Sequence, residues 1–299
     1  MCVINPDFGP NLSLIPGNQR QAFLWPTGNR LYSLPDMRYF LKFIQIIYVI
    51  YAFLLFTAFL LLIFPLVVIA SFFGKIKGGN FIYLLCQLWS DFELFTIGIA
   101  HRTIYESPHD RKKQYVFVFN HISFLDIPVL MKAIRGQHFR ILGKAEMAKI
   151  PIFGFLYKNA VVLVERDNVA KRAKSVLQLK SVLKKGISIA ISPEGTFNMG
   201  DEPLKEFYDG AFKIAIETQT PIKPLLFLDT YDRLNYESVF SLTPGKSRVV
   251  FLEEINVEGL TIKDVPFLKN KVYNAMEQGL RRYKASWIKT GSDASKKIV

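Results

Sequence analysis

A histidine and an aspartate five residues apart form a pair that is suited to acid–base chemistry. His121 and Asp126 follow the apolar run 116–119, which is too short for a helix and is rich in β-branched and aromatic residues. Such a run predicts a buried strand. The Ser-x-x-Asp sequence that begins at Ser123 predicts that a helix starts within 123–127. His121 would then lie in the loop between strand and helix.

This placement decides whether the pair can interact. Within one regular helix, residues five apart point about 140° away from each other, so the two side chains would not meet. With His121 in the preceding loop, Asp126 can accept a hydrogen bond from one ring nitrogen and leave the other free to take a proton. The alternative is a histidine at a helix cap and an aspartate in the first helical turn.

A second polar cluster follows another predicted strand, which ends at Ile191. The segment 192–196 reads Ser-Pro-Glu-Gly-Thr. In open α/β sheets the loops at the carboxyl ends of the strands form the site, so this loop and the one that holds His121 could share a rim. Gly195 would allow close approach of a ligand to the backbone, and carboxylate and hydroxyl groups would bind a hydroxyl. Taken alone, the segment is equally consistent with an ordinary turn.

The elements that must position these loops alternate along the chain between strands and helices. This alternation predicts an α/β fold with a mixed, largely parallel sheet flanked by helices. Further strands are predicted at 139–143, 161–164, 187–191, 222–227 and 248–252, and helices at 168–185, 210–220 and 263–283.

Composition restricts the partners of the protein. Half of the 299 residues are hydrophobic and the formal net charge is +13, which together favour a membrane surface that carries anionic lipid. The basic residues form no tract interleaved with aromatics, and zinc-finger spacing is absent, so we expect no nucleic-acid binding. Neither a phosphate-binding glycine loop nor a metal-ligand spacing occurs in the sequence. We therefore expect no metal and no cofactor.

The N-terminal third is unusually apolar. No residue from Phe43 to Gly74 is charged, and this stretch is longer than the roughly 20 residues that a membrane-spanning helix needs. Pro65 predicts a kink or a break, which leaves either a single span or a helix pair that enters and returns on one side. Basic residues at both ends mildly favour the pair. Residues 81–100 predict a second, interfacial helix. A buried helix of a soluble protein is the remaining alternative.

These features predict four regions. Residues 1–36, rich in Pro, Asn and Gly, would be a weakly ordered extension without a signal peptide, or an artefact if Met37 is the natural start. Residues 37–103 would be membrane-anchoring or interfacial helices, and residues 104–285 the α/β domain. Residues 286–299 would form a polar C-terminal tail.

Two motifs in this order resemble the glycerolipid acyltransferases typified by 1-acylglycerol-3-phosphate acyltransferase. They are Asn120-His121 with Asp126, and Pro193-Glu-Gly-Thr196. The resemblance covers roughly residues 104–260. Looser similarities to the second and fourth blocks of this family occur at Lys144-Ala-Glu146, Pro151-Ile-Phe-Gly154, Val164-Glu-Arg166 and Pro221-Ile-Lys-Pro224.

The resemblance implies an enzyme at the cytoplasmic face of a membrane. It would move a fatty acyl group from acyl-CoA or acyl-carrier protein to the free hydroxyl of a lysophospholipid, foremost 1-acylglycerol-3-phosphate, giving phosphatidic acid. His121 would be the general base and Asp126 would orient its ring. The resemblance further implies acceptor-binding roles for Asn120, Lys144, Arg166, Glu194, Gly195 and Thr196.

The sequence departs from the family pattern at one place. Many members have Arg and then Ser after Glu-Gly-Thr, and that arginine is expected to help hold the acceptor phosphate. This chain has Phe197-Asn198 instead. Either Lys144, Arg166 or Lys205 binds the phosphate, or the acceptor has none there and is another lysolipid or an amino-acid lipid.

Two other classes of protein fit the sequence less well. A non-catalytic lipid-binding protein on the same fold would be expected to lack His121 or Asp126, and both are present. A lipid hydrolase with a serine nucleophile would need a Gly-x-Ser-x-Gly elbow, which the sequence does not contain. The reacting hydroxyl would therefore belong to the substrate.

Overall fold

The described part of the chain is a helix followed by an α/β domain. The computed structural model describes residues 34–165 and 169–288. The chain divides into two units after Lys42, and apart from the first turns of one helix everything below belongs to the unit that begins at Phe43. The predicted extension and most of the predicted tail lie outside the described residues.

One sheet forms the centre of this unit. In the described residues it has seven strands in the order β1-β7-β6-β2-β5-β3-β4. Neighbours run parallel, except that β7 is antiparallel to β6. The predicted mixed, largely parallel sheet is confirmed. The strands are β1 Ile99–Tyr105, β2 Val116–Phe119, β3 Phe139–Lys144, β4 Val162–Val164, β5 Ser188–Ile191, β6 Ile222–Phe227 and β7 Gly245–Phe251.

Helices cover both faces of the sheet, as predicted from the alternation of elements. The predicted helices are present with ends that differ by a few residues. The described helices are α1 Leu34–Ser71, α2 Gly79–Thr96, α3 Asp126–Ala133, α4 Phe153–Ala160, α5 Val169–Leu183, α6 Gly210–Thr218, α7 Thr230–Arg233 and α8 Val265–Arg282.

The alternation of side chains along β2 divides the core into two layers. Phe117 and Phe119 pack with α1, α2, α3 and α4, whereas Val116 and Val118 pack with α5, α6 and α8. All four residues are buried, because a parallel strand covered on both faces is apolar throughout. Trp287, which was assigned to the polar tail, packs against the second layer.

Pro65 does not interrupt α1. The sequence predicts a kink or break there, yet the helix continues to Ser71. Proline removes one backbone hydrogen bond, a loss that a long apolar helix tolerates. The chain reverses after α1, through a π-helical turn at Gly74–Gly78. Among the described helices, α1 alone contains a stretch long and apolar enough to cross a membrane, Tyr39–Ser71.

The second helix runs back along the first. The hydroxyl of Tyr48 in α1 donates to the carbonyl of Ile97 just after α2, at 2.6 Å. Further along, the rings of Phe56 and Trp89 lie 4.4 Å apart. The helix pair predicted within 43–74 is therefore wrong, because this stretch belongs to the single helix α1. The helix that runs back along it is α2, near the interfacial helix predicted at 81–100, and β1 begins at Ile99, before the predicted domain boundary at 104.

Candidate active site

The predicted dyad forms at the carboxyl end of β2. Nδ1 of His121 lies 2.8 Å from Oδ2 of Asp126, with His121 in the loop and Asp126 as the first residue of α3. The imidazole is partly exposed, at 23%, and the carboxylate is fully buried. This contact assigns the proton to Nδ1 and leaves Nε2 as the acceptor. Among the described residues, no group forms a hydrogen bond with Nε2.

The loop folds this way because the carboxylate of Asp126 binds the backbone that precedes it. Its Oδ2 accepts the N–H groups of Ile122 and Ser123 at 2.7 and 2.8 Å. The hydroxyl of Thr230 donates to Oδ1 at 2.7 Å. Four donors therefore surround a buried carboxylate, which satisfies the ionised form. Thr230 comes from α7, and no local pattern in the sequence pointed to it.

Glu194 ties the second motif to the first. Its Oε1 accepts the backbone N–H of His121 and its Oε2 accepts that of Lys205, both at 2.9 Å. The residue is fully buried. Burial raises its pKa to about 7, against the opposing effect of the two N–H groups. Both oxygens already have partners, so in this geometry Glu194 positions the loop that holds His121. Its predicted contact with the acceptor stays a prediction.

Gly195 and Asn198 complete the fit between the two loops. Gly195 has φ of 73°, and a Cβ there would lie 2.8 Å from the ring of Tyr208. A side chain would be strained at this φ and would collide, so the position requires glycine. The backbone N–H of Asn198 donates to the carbonyl of His121 at 2.8 Å. The two predicted loops therefore share one rim.

Phe197, where the sequence resemblance leads one to expect an arginine, lies against His121. The two ring centroids are 4.3 Å apart. Phe124 meets Phe197 edge-on at 5.0 Å, and Tyr236 stacks on it at 6.1 Å. This side of the imidazole is therefore apolar, which favours an acyl chain or glycerol carbons there over a charged head group.

A lysine lies beside Thr196, the last residue of the second motif. Nζ of Lys205 lies 3.1 Å from Oγ1 of Thr196. Both residues are exposed. In the described part of the chain, Lys205 has no carboxylate within ion-pair distance, so its ammonium keeps donors for an anion. The backbone of Lys205 is joined to that of His121 through Glu194, which fixes where its side chain begins.

The remaining predicted site residues lie in different surroundings. Asn120 is buried, and its amide exchanges two hydrogen bonds with the backbone of Phe227, which joins β2 to β6. Lys144 is 56% exposed at the end of β3, two strands from β2 in the sheet, and its nearest partner is Glu146 at 3.8 Å. Arg166 lies outside the described residues. Acceptor contacts by all three stay predictions.

The arrangement supplies a base, a group that orients it and a cation, on one rim. These parts suit proton removal from a hydroxyl beside an anionic group. No group of three His, Cys, Asp or Glu side chains within 34–165 and 169–288 is placed to hold a metal ion.

Comparison with known proteins agrees with the motif resemblance. Residues 101–228 match the acyltransferase family model. An uncharacterised acyltransferase of Schizosaccharomyces pombe is 30% identical over 57% of this chain and 61% of its own length. The 1-acyl-sn-glycerol-3-phosphate acyltransferase of Haemophilus influenzae is 28% identical, over 62% of this chain and 76% of that protein.

Two further comparisons extend this result. The human 1-acyl-sn-glycerol-3-phosphate acyltransferase beta is 30% identical over 54% of this chain and 58% of its length. The chain thus spans about three fifths of the length of the yeast and human relatives. The crystal structure of the 1-acyl-sn-glycerophosphate acyltransferase PlsC from Thermotoga maritima has the same fold. Its TM-score is 0.66 at 20% identity, over 83% of this chain and 99% of that one.

Proposed function

We propose that the chain is an acyltransferase of the 1-acylglycerol-3-phosphate acyltransferase-like family and that it acylates the free hydroxyl of lysophosphatidic acid. The product is phosphatidic acid, and the donor is acyl-CoA or acyl-carrier protein. The observation that carries this proposal is the hydrogen bond between His121 and Asp126, which leaves Nε2 of a partly exposed imidazole as the acceptor. No cofactor is required.

The proposed mechanism needs no acyl-enzyme. Nε2 of His121 removes the proton of the acceptor hydroxyl as its oxygen attacks the thioester carbonyl. The tetrahedral intermediate collapses, the carbon–sulfur bond breaks, and the imidazolium returns the proton to the departing thiolate. Asp126 holds the ring in the required tautomer and stabilises its charged form. Water in place of the acceptor gives slow thioester hydrolysis.

Lys205 is our candidate for the cation that binds the acceptor phosphate. Phe197 fills the place of the family's arginine with an aromatic ring. The ammonium of Lys205 lies beside Thr196 of the same motif and has no acidic partner in the described residues. A charged hydrogen bond to phosphate is stronger than one between neutral groups, so this cation favours a phosphate monoester over a zwitterionic head group.

The enzyme acts at a membrane in this proposal. The acceptor is a lipid, α1 is long and apolar, and the net charge is +13. A basic surface favours the anionic cytoplasmic leaflet and the acidic acyl donors, so we place the active site at the cytoplasmic face.

The acceptor is tested by rates of transfer from acyl-CoA to lysophosphatidic acid and to lysophosphatidylcholine. We expect a preference for lysophosphatidic acid, and in Lys205→Met a KM for this acceptor raised about tenfold with kcat nearly unchanged. Adding Phe197→Arg to Lys205→Met should recover part of the loss, because a cation returns to the same motif.

Lys271→Met removes an exposed lysine of α8 and is the matched control, with unchanged kinetics expected. An unaltered preference in Lys205→Met would exclude Lys205 as the phosphate-binding residue. If acyl transfer occurs only to another lysolipid, the proposed acyltransferase activity holds but lysophosphatidic acid is not the acceptor.

A further inference from the structure

An exposed apolar segment follows β3 and extends into the first turn of α4. We use the name "apolar turn" for residues 147–155. Four large apolar side chains in this short segment are between 38% and 43% exposed, and the mechanism uses none of them. They are Met147, Ile150, Ile152 and Phe155. A concentration of this kind on the surface marks an interaction site.

The backbone of the apolar turn is strained. Ile152 has φ of 62° and ψ of −62°, a conformation that β-branched residues rarely adopt. The N–H of Phe153 donates to the carbonyl of Pro151 at 2.6 Å, which closes a three-residue γ-turn around Ile152. Strain of this type persists where the surroundings enforce it, and it is concentrated at functional sites. Here the strained backbone leaves the side chain of Ile152 partly exposed to solvent.

Backbone contacts within the segment also stabilise the apolar turn. The N–H of Gly154 donates to the carbonyl of Ile150 at 2.7 Å. A Cβ on Gly154 would lie 2.4 Å from the carbonyl oxygen of Ala148, so the two backbones are in close contact. Close packing at this point leaves the apolar side chains on a rigid tip.

The apolar turn continues the surface of the anchor helix. Phe155 meets Phe64 of α1 edge-on, with ring centroids 5.8 Å apart, and the neighbouring Phe153 lies 6.4 Å from Phe56. The outer side of α1 is apolar and exposed along most of its length. The turn therefore widens an apolar surface that already exists.

The charges around the turn are those that suit lipid head groups. Lys149 within the turn and Lys158 three residues after it are both exposed. Cations that flank an apolar tip are the pattern of segments that enter the boundary between head groups and acyl chains.

We propose that the apolar turn inserts into the lipid bilayer beside α1, as a second membrane contact of this protein. Strands β2, β5 and β3 are parallel, so the turn after β3 lies at the same rim as His121. Insertion therefore brings the rim that holds the catalytic histidine to the level of the head groups, where a lipid acceptor presents its hydroxyl. The proposal concerns membrane contact and does not depend on which lipid is acylated.

The insertion is tested by a fluorescent label at position 152. Ile152→Cys, made in a chain with Cys2→Ser and Cys86→Ala, is labelled with an environment-sensitive dye and mixed with vesicles of phosphatidylcholine and phosphatidylglycerol. We expect a blue shift and strong quenching by lipids brominated on their acyl chains. The controls are Ile262→Cys, on an exposed residue away from α1, which should not be quenched, and Leu62→Cys in α1, which should be.

Quenching at position 62 without quenching at position 152 would overturn the proposal. A blue shift that appears without vesicles and rises with protein concentration would also overturn it, in favour of a contact between two copies of the chain.

A second measurement separates membrane contact from folding. Ile152→Gly suits the positive φ, so we expect thermal stability to be kept or raised while acyl transfer to acceptors in vesicles falls about threefold. Transfer to the same acceptor in detergent micelles should change little. If Ile152→Gly lowers the Tm and reduces both rates equally, Ile152 acts in packing and the proposal fails.

Discussion

Asp126 is the residue on which the site is built. Its side chain accepts hydrogen bonds from His121, from two backbone N–H groups of the loop and from Thr230. One carboxylate therefore shapes the loop and orients the imidazole of His121. The contacts within the loop could be predicted, because residues 121–126 are adjacent in sequence. The contact with Thr230 could not, because 104 residues separate it from Asp126.

Glu194 makes contacts that its residue type does not reveal. A carboxylate in a glycine-containing loop suggests substrate binding, but only the tertiary fold reveals that its oxygens face the N–H groups of His121 and Lys205. In Glu194→Gln one of these N–H groups would meet an amide donor. We expect a loss of about 1–3 kcal/mol in the free energy of unfolding, measured by urea denaturation.

The pH dependence of the free energy of unfolding tests the contribution of the Glu194 carboxyl group separately. The pKa of Glu194 is about 7 in the folded protein against an ordinary 4.5, so the folded state holds its proton over that range. Its contribution to stability is full below the lower value and is lost as pH rises through the upper one. Glu194→Gln should remove this part of the slope. Glu202→Gln, at an exposed carboxylate, should keep it. A slope unchanged in Glu194→Gln would contradict this account.

Among the elements, the strands buried on both faces could be predicted, whereas the edge strand β1 could not. β2 and β6 are continuous apolar runs. β1 reads Ile-Ala-His-Arg-Thr-Ile-Tyr and alternates in burial at the edge of the sheet, so its mixed polarity hid it. The reversal between α1 and α2 likewise depends on a partner far along the chain.

That partner is Arg140 on β3. Its guanidinium donates to the carbonyls of Lys75 and Ile76 and to the side chain of Asn80, and the residue is 3% exposed. Arg140→Met keeps most of the volume and removes the three hydrogen bonds from the guanidinium to this turn. We expect the amides of 74–80 to exchange with solvent at least tenfold faster, read by mass spectrometry.

Lys185→Met removes a nearby exposed cation and serves as the control. Unchanged exchange in Arg140→Met would mean that the turn is held by helix packing alone.

At the scale of the whole molecule, charge and apolar surface act together. The net charge of +13 attracts anionic lipid through a field that salt screens, whereas burial of the exposed side of α1 does not depend on salt. We expect binding to vesicles to rise about tenfold when phosphatidylglycerol is added to phosphatidylcholine, measured by vesicle sedimentation. High salt should abolish that increase and leave the remaining binding. Equal binding to vesicles with and without phosphatidylglycerol would contradict the electrostatic contribution. Complete release by salt would contradict the apolar contribution.

The most direct test of the central claim is transfer of a radiolabelled acyl group from acyl-CoA to lysophosphatidic acid by the wild type and by His121→Ala. We expect labelled phosphatidic acid from the wild type and a rate lower by about 10²- to 10⁴-fold in the variant. His138→Ala, at an exposed histidine, should match the wild type. Transfer that persists in His121→Ala at the wild-type rate would contradict the account, because the base would then lie elsewhere.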